Sequence, residues 1–274
     1  MVAFGLRQSC RNVRQNTNEV IGQRGVLTYM SSEYYIEARG LYKKFGYKTA
    51  LRNVDIFLNE GDSLALFGPN GAGKSTLIQV LCSLLQPTSG RVRIAGYEAR
   101  RDREALHQII GLIGHQTFLY PHLTAYENLK FYGEMYRVAR LNVRIAEVLD
   151  LVGLSDNRNV IVQNFSRGMQ QRLSIGRAII HDPLIIFMDE PFTGLDQQGG
   201  EDFIKLITQF RDQGKTVIMA SHHLHLGLEL CDRAAILKSG RIVHLQDITR
   251  ISKDDFTRIY SQKIEENAPQ LKVA

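Results

Sequence analysis

Nine consecutive residues, Gly68-Pro69-Asn70-Gly71-Ala72-Gly73-Lys74-Ser75-Thr76, have the types and spacing needed to hold phosphate. They fit the pattern G-x-x-x-x-G-K-[ST]. Glycines let the backbone curl without a Cβ clash. The curled N–H groups face inward as an anion nest, and a helix starting there adds its positive end. Lys74 would reach the β- and γ-phosphates of a nucleotide, and the Ser75 hydroxyl would ligate Mg²⁺. A second chemical pair, Asp189-Glu190, ends the apolar run 184–188 (LIIFM) and precedes Pro191. Acids at the carboxyl end of a buried strand lie where open α/β sheets bind ligands. Asp189 would hold Mg²⁺ through water, while Glu190 would face the γ-phosphate and orient the attacking water. Strand neighbours point to opposite faces, which lets the two acids take different tasks.

The surrounding pattern supplies the elements that would position these groups. Residues 63–67 (SLALF) read as a short buried strand entering the loop, and Leu77, Leu81 and Leu84 recur at helical spacing behind it. Strands are expected at 34–38 and 54–58 before the loop, at 91–95 and 109–113 after it, and at 216–220. A last hairpin is expected from 234–237 and 241–245 around Ser239-Gly240. From Thr124 to His181 the helical period dominates. Thr124 and Glu127 form a capping box. A second helix over 142–152 closes at Gly153, and a third follows Phe165-Ser166 with Met169, Leu173, Ile175 and Ile179 as its apolar positions. This is a helical insertion in an α/β core. Phe45, upstream of the loop, can stack on a nucleotide base through its π face or serve as an ordinary core residue; spacing leaves both open.

The totals limit the alternatives. The chain has 274 residues, 44% hydrophobic and 23% charged, the ordinary balance of a globular protein. No apolar run reaches the roughly 18 residues that would span a bilayer, so a membrane role would come through a partner. Cys10, Cys82 and Cys231 are odd in number and widely spaced, which indicates neither a disulfide framework nor a zinc ribbon. The net charge of +6 comes from scattered basic residues, with no basic stripe interleaved with aromatics, and nucleic acid is not an expected partner. Residues 1–33 form a basic, polar, aperiodic extension, expected to be a disordered tail. His222, His223 and His225 crowd together, but a strand end entering a helix would point them in different directions, and Cys231 lacks a CxxC partner.

Taken together, residues 34–246 resemble the ATP-binding subunits of ABC transporters, in unbroken order. The resemblance implies a P-loop NTPase core with an antiparallel β subdomain and a helical insertion at about 117–178, followed by a short tail over 247–274. Phe45 falls where that family places its adenine-stacking aromatic. Gln116 matches the glutamine hinge that senses the Mg²⁺ site. Ser166-Arg167-Gly168-Met169-Gln170 matches the signature loop, Gly194-Leu195-Asp196 the loop crossing the dimer interface, and His222 the switch histidine. The implied cofactors are ATP and Mg²⁺. Two such domains, a homodimer in this reading, would close head to tail around two ATP, each held between one phosphate loop and the other subunit's Ser166 and Gly168. The γ-phosphate is required for closure, which makes a ligand-dependent two-state element.

The signature departs from the commonest form, LSGGQ: Ser166 and Gly168 are kept, but Arg167 and Met169 replace Gly and Gln, and Phe165 replaces Leu. The groups that would face phosphate survive, so hydrolysis is expected. The SRGMQQR variant, the Gly114-His115-Gln116 hinge and the run 127–132 (ENLKFY) resemble the haem exporter subunit of cytochrome c maturation. That implies export through separate integral membrane permease subunits, at the cytoplasmic face of the membrane. The competing class is a soluble mechanical ABC ATPase acting on ribosomes or nucleic acid. Such proteins usually carry two nucleotide domains or a long coiled coil, whereas this chain has one phosphate loop and no heptad run. A non-hydrolysing regulator is disfavoured by the intact Lys74, Asp189, Glu190 and His222.

Overall fold

The computed structural model describes residues 34–114 and 116–265. The expected N-terminal extension, His115 and the last nine residues of the tail lie outside them. Two sheets and the helices packed on them make an α/β fold of the expected class. The first sheet is antiparallel, in the order β2 (Lys48–Leu58), β1 (Ile36–Phe45), β4 (Ser89–Ile94), β5 (Tyr97–Glu98). β1 and β2 form a hairpin with Phe45 opposite Lys48, turning at Gly46-Tyr47. Both strands run longer than the segments 34–38 and 54–58 expected from alternation. The register shifts between Ala38 and Leu41 and again before Lys43. Each shift resets the period-two pattern, which hides the middle of the hairpin in the sequence.

The second sheet carries the phosphate loop. Its order is β10 (Arg241–Asp247), β9 (Arg233–Lys238), β3 (Ser63–Phe67), β8 (Thr216–Ala220), β7 (Ile185–Asp189), β6 (Ile110–Ile113). All neighbours are parallel except β10, which pairs antiparallel with β9 at the edge. β3 and β8 are buried along their whole length, which is why they read as unbroken apolar runs. The parallel order puts the carboxyl ends of β3, β7 and β8 side by side, and the groups assigned to phosphate chemistry sit at those ends.

Helix α1 (Lys74–Leu81) follows the loop directly, with Leu77, Ile78 and Leu81 buried. Leu84, expected on the same face, lies past the helix end and is 48% exposed. α2 (Arg103–Ile109) runs straight into β6 and is not among the sequence-predicted elements. Its single buried residue, Leu106, gives no helical period to read. The helical insertion contains α3 (Ala125–Met135), α4 (Leu141–Leu151) and α5 (Arg167–Ile179). The capping box is present: the Thr124 hydroxyl accepts from the Glu127 N–H, and the Glu127 carboxylate accepts from the Thr124 N–H. Buried Asn128 accepts from the Tyr120 N–H at 2.8 Å and donates to the Tyr120 and Thr124 carbonyls at 3.0 Å each, fixing the loop ahead of α3. α6 (Gln197–Asp212) also goes unpredicted, although Phe203, Leu206, Ile207 and Phe210 form a sufficient stripe.

The insertion is joined to the sheet by a buried charge. The Arg177 guanidinium donates to the Leu112 carbonyl at 2.7 Å and faces the rings of Phe118 and Tyr132 at 5.4 and 5.5 Å. Just after α5, the His181 ring stacks on Tyr136, with centroids 3.8 Å apart, and its Nε2 meets the Ile110 carbonyl at 3.1 Å. Burial lowers the His181 pKa from its ordinary 6.5 to about 4, helped by Arg177 and Lys215 and opposed by the Ile110 carbonyl and Asp182. The folded imidazole is therefore neutral where the unfolded one takes up a proton. Stability should fall as pH drops from about 6.5 to about 4, by up to about 3 kcal/mol, and then level off for this group. Urea unfolding at pH 7 and pH 4.5 checks this against His181→Gln. The substituted protein should lose less stability over that window, and equal losses would contradict the assignment.

The tail that leaves β10 is not a loose appendage. α8 (Lys253–Glu265) is polar apart from a few positions, and one of these, Phe256, is fully buried with its ring 5.7 Å from that of Phe67. Burying one such ring contributes about 2–3 kcal/mol, enough to hold a short helix on the core.

Candidate active site

The phosphate loop leaves β3 at Phe67 and enters α1 at Lys74. Gly68 is needed for close packing: a Cβ there would come within 2.1 Å of the Leu237 carbonyl oxygen on β9. Gly73 sits at φ 110°, a conformation that favours glycine, and caps the helix start. Lys74 is buried. Its ammonium donates to the Gly68 carbonyl at 2.7 Å and lies 3.8 Å from Glu190 Oε1. The cation is thus held over the loop by a carbonyl and a carboxylate.

A cleft of about 580 Å³ opens at the carboxyl ends of the strands, lined by Gly68, Pro69, Asn70, Ser75, Asp189, Glu190, Thr193, His222 and Tyr260. Asp189 closes β7, and Glu190 follows it at φ 51°. Strand alternation alone would send these two acids to opposite faces. The left-handed turn at Glu190, held by its N–H bond to the Ala220 carbonyl at 2.9 Å, brings both into the one cleft. A non-glycine residue in that region costs of the order of 1–3 kcal/mol, and such strain clusters at functional sites. Glu190 Oε2 lies 2.6 Å from His222 Nδ1 and 3.4 Å from the His222 N–H, so β7 and β8 each contribute one partner of a short pair.

The three crowded histidines do separate work. His222 engages Glu190, the His223 ring lies tilted against it with ring centroids 3.9 Å apart, and His225 lies 3.9 Å from Glu229 one turn along α7 (Leu224–Leu230). Ser75 and Asp189 offer hydroxyl and carboxylate oxygens to the same cleft, the donor set that suits Mg²⁺.

Other predicted residues stand outside the cleft. Phe45 ends β1 half exposed, with the Lys43 ammonium 5.0 Å from its ring centre. Gln116 is exposed on the loop after β6 and does not line the cleft. Gly71, Ala72, Gly73 and Thr76 shape the loop and its helix without lining it. Ser166 caps α5, its hydroxyl accepting from the Met169 N–H at 3.2 Å. Gly168 packs near the Gly194 carbonyl, so the signature stretch and the 194–196 loop lie against each other, and neither lines this chain's own cleft. Two cleft residues were not predicted. Thr193 was reachable by proximity, three positions after Glu190. Tyr260 belongs to no motif, and its only signal is a shared face with Phe256 four residues earlier.

The family model described as ABC transporter matches residues 51–193. The chain is 37% identical to a linearmycin resistance ATP-binding protein of Bacillus subtilis (strain 168), over 76% of this chain and 68% of that one. It is 33% identical to a daunorubicin resistance ATP-binding protein of Streptomyces coeruleorubidus, over 76% of this chain and 66% of that one. Among solved structures it is similar to a dimeric ATP-binding cassette in a post-hydrolysis state with ADP and Pi, with a TM-score of 0.71, 30% identity, and coverage of 78% of this chain and 98% of the other. With a phosphate loop, a paired glutamate and histidine, and this sheet order already in place, the chain belongs to the ABC transporter family, as one of its ATP-hydrolysing nucleotide-binding domains.

Proposed function

We propose that this protein is the ATPase subunit of an export-type ABC transporter, with residues 34–246 as the ATP-binding unit and 117–178 as its helical insertion. The observation that carries the reading is the convergence of Ser75, Asp189, Glu190 and His222 on one cleft, with the Lys74 ammonium beside Glu190. The loop N–H groups and Lys74 bind the β- and γ-phosphates, which displace the ammonium's present partners. Glu190 accepts the proton of the attacking water, and His222 holds the carboxylate through the 2.6 Å contact. Ser75 and Asp189 would hold Mg²⁺, which supplies charge neutralisation at the phosphates. Gln116 senses that site when the insertion moves, and Phe45 stacks on the base.

Ser166 and Gly168 do not line their own cleft, which fits service to a second copy. A hydroxyl, a glycine N–H and the α5 N-terminus then meet the other subunit's γ-phosphate. The dimeric state of the solved relative supports the same arrangement. Among the described residues no helix is long and apolar enough to cross a membrane, and this reading assigns passage across it to separate permease subunits. The resistance functions in the relatives' names support export. Haem export rests on the SRGMQQR variant, the Gly114-His115-Gln116 hinge and the run 127–132, and draws no support from those relatives.

Fractionation of cells that retain all partners tests the assignment. The protein should sediment with membranes and co-purify, after mild detergent, with an integral membrane protein. A wholly soluble pool would favour the mechanical class of ABC ATPase instead.

A further inference from the structure

The C-terminal helix is fastened to the phosphate loop at both of its ends. Toward its start, Phe256 and Tyr260 pack one turn apart on Phe67, the residue immediately before Gly68. The Tyr260 ring meets Phe67 at 6.5 Å and 78°. Phe67 has no room to retreat, because a Cβ on Gly227 of α7 would come within 2.5 Å of its ring. At the other end, the Lys238 ammonium donates to the Lys263 and Ile264 carbonyls at 2.8 and 2.5 Å, a cation at the negative end of a helix. Lys238 closes β9, and two residues later the Gly240 N–H donates to the Ala72 carbonyl, inside the phosphate loop, at 2.9 Å. With the helix held this way, Tyr260 takes its place in the cleft wall beside Gly68, Pro69, Asn70, Glu190 and His222. Partial burial raises its phenol pKa, so the group stays protonated and can donate at neutral pH.

We propose that Tyr260 contacts bound nucleotide, its hydroxyl donating a hydrogen bond to the terminal phosphate and so favouring triphosphate over diphosphate. Asp189 and Glu190 in the same wall are acceptors only and cannot make that contact to an anion. The proposal rests on the cleft being the ATP site.

Tyr260→Phe keeps the ring, and with it the packing on Phe67, and removes only the donor. Binding is measured by displacement of a fluorescent nucleotide with the unhydrolysed triphosphate analogue AMP-PNP and with ADP. AMP-PNP should bind about tenfold more weakly, the loss expected for one hydrogen bond to a charged group. ADP should change by less than about twofold, since a diphosphate never used the bond. An unchanged AMP-PNP affinity overturns the proposal. So does equal weakening of both nucleotides, which would make Tyr260 a prop for the loop. Lys74→Ala, run alongside, keeps the two readings apart. Loss of both nucleotides there, with Tyr260→Phe unchanged, leaves the ATP site standing and removes only the tyrosine. If Lys74→Ala also binds normally, the site assignment itself fails.

Discussion

Glu190→Gln should still bind ATP and should lose at least about a hundredfold in turnover, the low end for positioned general-base catalysis. The amide fits the same space and can keep a hydrogen bond to His222, whose Nδ1 lies 2.6 Å from Glu190 Oε2. It cannot take a proton from water. Nor can it offset the Lys74 ammonium 3.8 Å away, so phosphate should meet an unneutralised cation and bind at least as well. ATP then remains uncleaved between two subunits, and an ATP-dependent dimer should accumulate. Size-exclusion chromatography with and without Mg-ATP reads this as a doubling of mass only with nucleotide. A protein that stays monomeric and hydrolyses at the wild-type rate would remove Glu190 from the chemistry.

Lys74→Ala should produce the opposite failure: weak ATP binding and no dimer. The ammonium is buried, and its bonds to the loop are made with carbonyl oxygens that cannot themselves attract phosphate. Removing it leaves those carbonyls and Glu190 facing the incoming anion without a counter-charge. One lost charge-assisted contact costs about 1.5–3 kcal/mol, so ATP affinity should drop at least about tenfold. Nucleotide titration measures it directly. Wild-type affinity in Lys74→Ala would contradict the assignment of this loop as the phosphate site.

The parts of this site that were legible in the sequence are those written in consecutive residues. The loop from Gly68 to Thr76 and the Asp189-Glu190 pair declare their chemistry locally, and β3 and β8 match their apolar runs because both faces of each strand are buried. Geometry that depends on one dihedral was not legible. The sequence assigned Asp189 and Glu190 to one nucleotide with different tasks, but not the left-handed backbone, φ 51° at Glu190, with which the second acid enters the cleft. Nor were contacts between distant segments legible. Tyr260 lies nearly two hundred positions from Gly68, and its place in the cleft wall follows from the packing of Phe256 on Phe67 and the tie from Lys238. The long β1–β2 hairpin was shortened in prediction because its bulges interrupt the alternation that a strand is recognised by.

A single-turnover experiment bears most directly on whether Glu190, held by His222 at the end of β7, carries out hydrolysis in this cleft. Excess protein is mixed with a limiting amount of Mg-ATP labelled at the γ-phosphate, quenched over time, and the labelled phosphate is separated from intact ATP. The wild-type protein should convert its bound ATP to ADP and phosphate, while Glu190→Gln should retain intact, bound ATP over the same interval. Release of phosphate by Glu190→Gln at the wild-type rate would contradict the assignment.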